Sequence, residues 1–280
     1  MKNILLPTDF SNNALNAIFT AIKLHKSAAC KFIIIHAYEP DNRNIISPQN
    51  STRAGMVYDA LHLDALNKLE VTLGDVNSAS NQDKHTFSLK AIQGNLASVI
   101  SELVPKHDID LIVLGAKGAT SAKQIFLGSN TVRVIKNVRN CPILAIPRDF
   151  NFQSLKKIVF PTEYAHFFSK NQLNQLIKMA EEWKSQILVF HVAKEFKLSE
   201  KQIMHKELLQ ERLEDIKHSF HNIEIQTTVA DAITEFVKAQ LADMICLVHY
   251  SHTFMEKLTE EPVVKKVGFK TEVPLLVLPE

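Results

Sequence analysis

The chain has 280 residues, of which 46% are hydrophobic and 22% charged, and its formal net charge is only +2. That length suits two domains, because domains run roughly 100–200 residues, and each half is long enough to bury a core. With so small a net charge and no lysine or arginine run, bulk attraction to nucleic acid or to an acidic membrane is not indicated. The three cysteines, Cys30, Cys141 and Cys246, form no CxxC pair, which argues against a disulfide framework and against a zinc site. They read as buried thiols in a reducing cytosol. The opening Met1–Pro7 is too short for a signal peptide, and no apolar run approaches the ~20 residues of a membrane span, so a cytoplasmic protein is expected.

In chain order, the first apolar run is Asn3-Ile-Leu-Leu-Pro-Thr-Asp9. Ala14, Ala17, Ile18, Ala21, Ile22 and Leu24 then recur at helical spacing, with Ser11 or Asn12 as N-cap. A second strand fits 31–36, a helix 56–73, a third strand 86–92, and a further helix begins near Asn95. Strands at 109–114 and 141–147 bracket a glycine-bearing stretch and a helix that continues through Val138. The same elements return in the same order after residue 154. Lys157–Glu163 matches Asn3–Asp9, Gln186–His191 matches Lys31–His36, Ala242–Leu247 matches Ile109–Leu114, and Val273–Pro279 matches Cys141–Pro147. Helices fit near 173–180 and 203–220, a strand fits 223–229, and another helix begins near Asp231. Short, nearly continuous Ile/Val/Leu runs suit strands buried on both faces of a parallel sheet, and their alternation with helices implies helices on both faces. The expected fold is α/β: two tandem doubly wound, Rossmann-like domains at 1–148 and 154–280, each a five-stranded, mainly parallel sheet. The polar segment 148–154 reads as the linker.

In an open parallel sheet, ligands bind beyond the carboxyl ends of the strands. In the first half Pro7-Thr8-Asp9, Ala37 and Gly115 end there. Only seven glycines occur in the chain, and Gly115, Gly118 and Gly128 lie close together between the fourth strand and the following helix. Glycine lets backbone N–H groups approach a phosphate with no Cβ in the way. Gly128-Ser129-Asn130-Thr131 opens a helix, whose N-terminus offers free N–H donors and a partial positive charge. Ser129 and Thr131 add hydroxyl donors. Asp9 is suited to accept hydrogen bonds from ribose hydroxyls, with capping of the first helix as its alternative role. Ala37, Leu114 and Pro142 can supply an apolar slot for a base. The glycine spacing is neither Walker A nor the dinucleotide G-x-G-x-x-G; a purely structural loop is the alternative.

The spacing G-x2-G-x9-G-Ser, met by Gly115, Gly118, Gly128 and Ser129, resembles that of nucleotide-binding members of the universal stress protein family. Ile4–Ser11 looks like the first strand and ribose-binding aspartate of that family, and Cys141–Pro147 like its last strand. The resemblance covers both halves and implies a tandem member. It further implies that Asp9 binds ribose with Pro7 and Thr8 beside it, and that Ala37, Leu114 and Pro142 line the adenine. Gly115, Gly118, Gly128, Ser129, Asn130 and Thr131 would hold the phosphates. Gly94 fits the turn after the third strand. ATP is the implied ligand, with AMP or ADP in its place as alternatives, and Mg²⁺ bridging the phosphates as an option. Packing of the two halves as an intramolecular pseudo-dimer is also implied, with a homodimer open as well.

Carried across the repeat, Gly115 becomes Val248, Gly118 becomes Ser251, and Gly128 and Ser129 fall near Glu260 and Glu261. Asn130 and Thr131 become Pro262 and Val263, Asp9 becomes Glu163, and Gly94 falls near Ala230. Carboxylates at that helix start would repel a triphosphate, so nucleotide is expected in the first half only. His36 and His191 end equivalent strands and read as capping or packing residues, as does Trp183 in the core. His249-Tyr250-Ser251-His252 lacks a third ligand or a carboxylate at metal-site spacing. These features point to an ATP-binding stress-response or regulatory protein that is not an enzyme, or at most hydrolyses ATP slowly. A slow ATPase or phosphotransferase and an interaction module that binds nothing small are the rival readings.

Overall fold

The structure is a computed structural model, which describes residues 1–39, 51–79, 84–116, 127–193, 197–224, 229–249 and 272–280. Each half supplies five strands. The first has β1 (Lys2–Pro7), β2 (Cys30–Tyr38), β3 (His85–Gln93), β4 (Leu111–Gly115) and β5 (Ile143–Ile146). The second has β6 (Lys157–Thr162), β7 (Gln186–Ala193), β8 (His218–Glu224), β9 (Met244–Val248) and β10 (Leu275–Leu278). The helices are α1 (Asn12–Leu24), α2 (Ser51–Ala79), α3 (Leu96–Lys106), α4 (Ser129–Asn137), α5 (Lys170–Trp183), α6 (Glu200–Arg212) and α7 (Val229–Gln240).

By contacts the chain forms two compact units, one of residues 1–122 and 128–141, the other of 123–127 and 142–280. Within the first unit the strand order is β3-β2-β1-β4. The pairings are parallel, with Pro7 opposite Ile35, Lys90 opposite Ile35 from the other side, and Leu5 opposite Ile112. The chain thus steps outward from β1 to β3 and then returns to the other side of β1. Right-handed crossovers place α1 and α2 on one face of the sheet and α3 and α4 on the other, and α3 packs on α4. Ile4, Leu5, Leu6, Phe32, Ile34 and Ile112 are fully buried between these layers.

The second unit repeats the plan as β8-β7-β6-β9-β10, all parallel, and adds β5 antiparallel to β10 with Leu276 opposite Leu144. β5, which the sequence groups with the first half, therefore packs with the second unit. Residue Phe152, within the polar segment read as a linker, is buried and meets Trp183 edge-on, ring centroids 5.1 Å apart. That segment is consequently anchored by its one buried aromatic. A matched device also opens each unit. Asp110 Oδ2 accepts from Asn3 N–H at 2.8 Å, and Asp243 Oδ2 accepts from Lys157 N–H at 2.8 Å.

Local chemistry accounts for the element starts. Ser11 caps α1 by accepting from Ala14 N–H, Asn95 caps α3 by accepting from Ala97 N–H, and Ser169 and Ser199 close full capping boxes with Gln172 and Gln202. One pair of elements departs from expectation. The helix expected over 203–220 ends at Arg212, and the strand expected over 223–229 runs earlier, over His218–Glu224. Leu213, Ile216 and Phe220 keep helical spacing, but residues 218–224 pair one for one with 187–193 of β7. A full ladder outweighs that weak local period. Residues 225–228 of the expected strand lie outside the described residues, and Val229 opens α7.

All three cysteines are buried thiols. Burial, with Asp110 nearby, pushes the Cys141 thiol up to about 12, so it stays protonated and donates to the Ile109 carbonyl at 3.3 Å. Buried histidines set an acid limit. Burial, then His25 and Lys84, hold His85 below its usual range; burial, then Lys206, do the same for His191 against weaker opposition from Asn222 and Glu163. An unfolded histidine takes up its proton near ~6.5, whereas these folded ones resist it. Their contribution is intact above that pH and is lost as pH falls through the lowered folded values. Urea unfolding of the chain is expected to show stability declining from pH 7.5 toward pH 5, and His85→Phe to flatten part of that slope; a slope unchanged by the substitution counts against this origin.

Candidate functional site

The first unit reverses its strand order between β1 and β4, and the loops after these two strands flank the resulting crevice. After β1 the chain makes a tight, strained turn. Thr8 N–H donates to the Ile35 carbonyl at 2.8 Å, Thr8 Oγ1 accepts from Phe10 N–H at 3.0 Å, and Phe10 takes a left-handed φ of 64°. His36, from β2, donates through Nδ1 to the Thr8 carbonyl at 2.8 Å and packs its ring on Phe10, centroids 4.4 Å apart. Pro7 and Thr8 are buried in this turn, and Asp9 is the exposed residue at its apex. Asp9 Oδ1 accepts from Ser11 N–H at 3.1 Å. The carboxylate is thus held at the mouth of the crevice while Ser11, not Asp9, caps α1.

The second flank is built from β4 and α4. Gly128 N–H donates to the Ala116 carbonyl at 2.6 Å, and Thr131 Oγ1 donates to the Gly115 carbonyl at 3.0 Å. These two bonds fold the start of α4 back onto the end of β4. Thr131 is buried, and its hydroxyl, read from sequence as a ligand donor, instead closes the loop. Ser129 and Asn130 are exposed at the first turn of the helix. The N-cap is Gly128, with φ −63° and ψ 154°, and it brings no side chain to the first amides. Any residue adopts that backbone conformation. Glycine at this position therefore serves to leave the helix end uncovered.

Gly115 is glycine for a different reason. A Cβ built there would lie 2.9 Å from Asn13 Cγ and 3.2 Å from the Asn13 backbone carbon. The end of β4 passes directly over buried Asn13 of α1, so close helix–strand packing, rather than approach to an anion, accounts for this position. Gly94 is demanded by the backbone: its φ is 132°, and its N–H donates to the Tyr38 carbonyl at 2.9 Å, tying the turn after β3 to the end of β2. Of the expected apolar slot, Ala37 is half-buried near the end of β2 and Leu114 is buried at the end of β4. Pro142 is half-buried and falls in the second unit. Gly118, with Lys117 and Lys123, lies outside the described residues.

At the equivalent point of the second unit the Thr/aromatic turn is kept, and side chains from α6 bind its carbonyls. Thr162 Oγ1 accepts from Tyr164 N–H at 3.0 Å, Tyr164 has φ 55°, and its ring packs on His191 with centroids 4.8 Å apart. Tyr164 is fully buried, and burial holds its hydroxyl protonated, far above the usual range. From α6, Gln202 Nε2 donates to the Glu163 carbonyl at 2.9 Å and His205 Nδ1 donates to the Tyr164 carbonyl at 2.8 Å. Val248, the counterpart of Gly115, is buried at the end of β9, and His249 follows it, its N–H bonded to the Leu278 carbonyl at 2.9 Å. Ser251, Glu260, Glu261, Pro262 and Val263 lie outside the described residues, as do Tyr250 and His252. The sequence reading passed over Phe10 and Tyr164. Their equivalent places in the repeat, each paired with a histidine one strand away, were the available signal.

The model of the universal stress protein family matches residues 1–147, more than half of the chain. The chain belongs to the universal stress protein family. Two universal stress proteins of Methanocaldococcus jannaschii are similar to it. One is 28% identical over 147 residues, covering 52% of this chain and 82% of that protein. The other is 30% identical over 156 residues, covering 52% of this chain and 95% of that protein. The crystal structure of a universal stress protein from Archaeoglobus fulgidus aligns with 99% of this chain and 96% of its own at a TM-score of 0.62 and 16% identity, which shows a shared fold. Among the described residues, no helix is long and apolar enough to cross a membrane.

The packing at Gly115 makes a direct prediction. Gly115→Ala forces β4 away from Asn13 and should destabilise the first unit by about 1–3 kcal/mol, the usual range for overpacking. Pairing it with Asn13→Ala should recover part of that loss in a urea titration. A loss unaffected by the second substitution would show that Asn13 is not the obstacle.

Proposed function

We propose that the first unit binds an adenine nucleotide, ATP foremost, and that this universal stress protein is a nucleotide-responsive regulatory protein with no fast reaction of its own. The observation that carries the reading is the uncapped start of α4. Gly128 itself offers the first amides of the helix no side-chain acceptor, and the loop bonds to Gly115 and Ala116 tie that end to the end of β4, next to β1 and the exposed Asp9. Exposed N–H groups with a partial positive charge suit phosphate, and a fixed carboxylate suits ribose hydroxyls. Ser129 and Asn130 would hold the phosphates with Gly128, Asp9 the ribose, and Ala37 and Leu114 the base. ATP supplies a triphosphate whose negative charge the helix end would favour.

We assign the nucleotide to the first unit alone. Support comes from the second unit's own side chains: Tyr164 fills the turn, and Gln202 and His205 bind its carbonyls. Glu163 stands where the first unit has Asp9.

The decisive substitution is Gly128→Asp. Aspartate is a better N-cap than glycine and fits the observed backbone, so the melting temperature should hold or rise. Its carboxylate would take the amides meant for phosphate, and ATP affinity should fall by about tenfold or more, some 1.4 kcal/mol. Isothermal titration of the full chain with ATP, and native mass spectrometry for co-purified nucleotide, read this out. Absence of binding heat at millimolar ATP together with nucleotide-free protein would sink the reading. Multiple-turnover ADP release that vanishes in Ser129→Ala would instead make the protein a slow ATPase.

A further inference from the structure

Helix α2 has two apolar faces. Its inner face carries Ala65, Leu69, Thr72 and Val76, all buried. At 3.6 residues per turn, Met56, Ala60, Leu63, Asn67, Val71 and Gly74 form a stripe on the opposite side. All six are exposed, and the large ones strongly so: Met56 by 68%, Leu63 by 60% and Val71 by 66%. A helix that covers a sheet ordinarily turns polar residues outward. The stripe advances in steps of four, three, four, four and three residues, the rhythm with which one helix meets another in left-handed packing. Gly74 fits that pattern. Glycine is among the weakest helix formers, and among the described residues nothing lies within 4 Å of where its Cβ would be. Packing against the described residues therefore gives no reason for it, whereas close approach of a second helix does.

The charges beside the stripe identify the partner. Asp59 and Glu70 line one edge and Asp64 and Asp75 the other, each pair three turns apart, and all four are exposed. The lysine on this part of the helix, Lys68, is paired with Asp64 at 2.6 Å. Two copies of the chain meeting through this face would set acidic rows against acidic rows, which disfavours self-association. We propose that the outer face of α2 docks an amphipathic helix of about five turns from another protein, its apolar stripe edged with lysine or arginine. The span from Met56 to Gly74 is ~27 Å at 1.5 Å per residue. None of these residues belongs to the nucleotide site, so the proposal stands apart from that reading.

The test uses the full chain and two labelled synthetic five-turn helical peptides, both with leucine at the a and d positions, one flanked by lysines and one by glutamates. Fluorescence anisotropy should show binding of the lysine-flanked peptide that weakens by about tenfold between low and high salt. The double substitution Leu63→Gln/Val71→Gln should weaken it by a further tenfold or so, while circular dichroism and melting stay unchanged because both side chains are exposed. Equal binding of the glutamate-flanked peptide, or indifference to the double substitution, overturns the proposal. A concentration-dependent dimer in sedimentation that the double substitution dissolves also overturns it, by making a second copy the occupant.

Discussion

The pairing of β1 with β4, Leu5 beside Ile112, is the constraint on which the first unit turns. Strands one and four are distant in sequence and adjacent in space, so the chain must reverse the direction in which it lays down strands. The reversal puts helices on opposite faces and leaves the two adjacent strand ends without a common covering helix. A crevice at that point follows from connectivity and handedness before any side chain is considered. The residues then decide what the crevice can hold. An aspartate stands at one lip and an uncapped helix at the other.

The second unit obeys the same constraint through β6 and β9, with Val159 beside Ile245. Its strand order, its opening aspartate and its left-handed aromatic turn all persist. What differs is the support around the turn: Gln202 and His205 of α6 donate to the Glu163 and Tyr164 carbonyls. Thr8, Phe10 and His36 have counterparts in the second unit and belong to the shared scaffold, whereas Asp9, Gly128 and Ser129 are what the proposed nucleotide site adds in the first.

Most of the architecture was legible because its signals are redundant. Each buried strand is a continuous apolar run, each appears twice, and each is followed by a cap or a turn. The boundary at β8 was not legible, because Leu213, Ile216 and Phe220 imitate a helix and only pairing along β7 reveals the strand. Phe152 was hidden in a polar segment that also holds Phe150, and only its contact with Trp183 tells which of the two is buried. The glycines divide in the same way. Their clustering was visible in the sequence, but the separate causes were not, since Gly94 answers to backbone angle, Gly115 to a neighbour from α1, and Gly128 to the openness of a helix end. The direction in which Thr131 gives its proton also depends on tertiary placement that spacing does not encode.

Gly115 and Asn13 are separated by a hundred residues of chain and share one volume of space. A lineage that abandons glycine at the first position recovers packing by shrinking or relocating the side chain at the second. The two sites should therefore drift as a single character among relatives, even though only one of them sits in the recognisable glycine pattern.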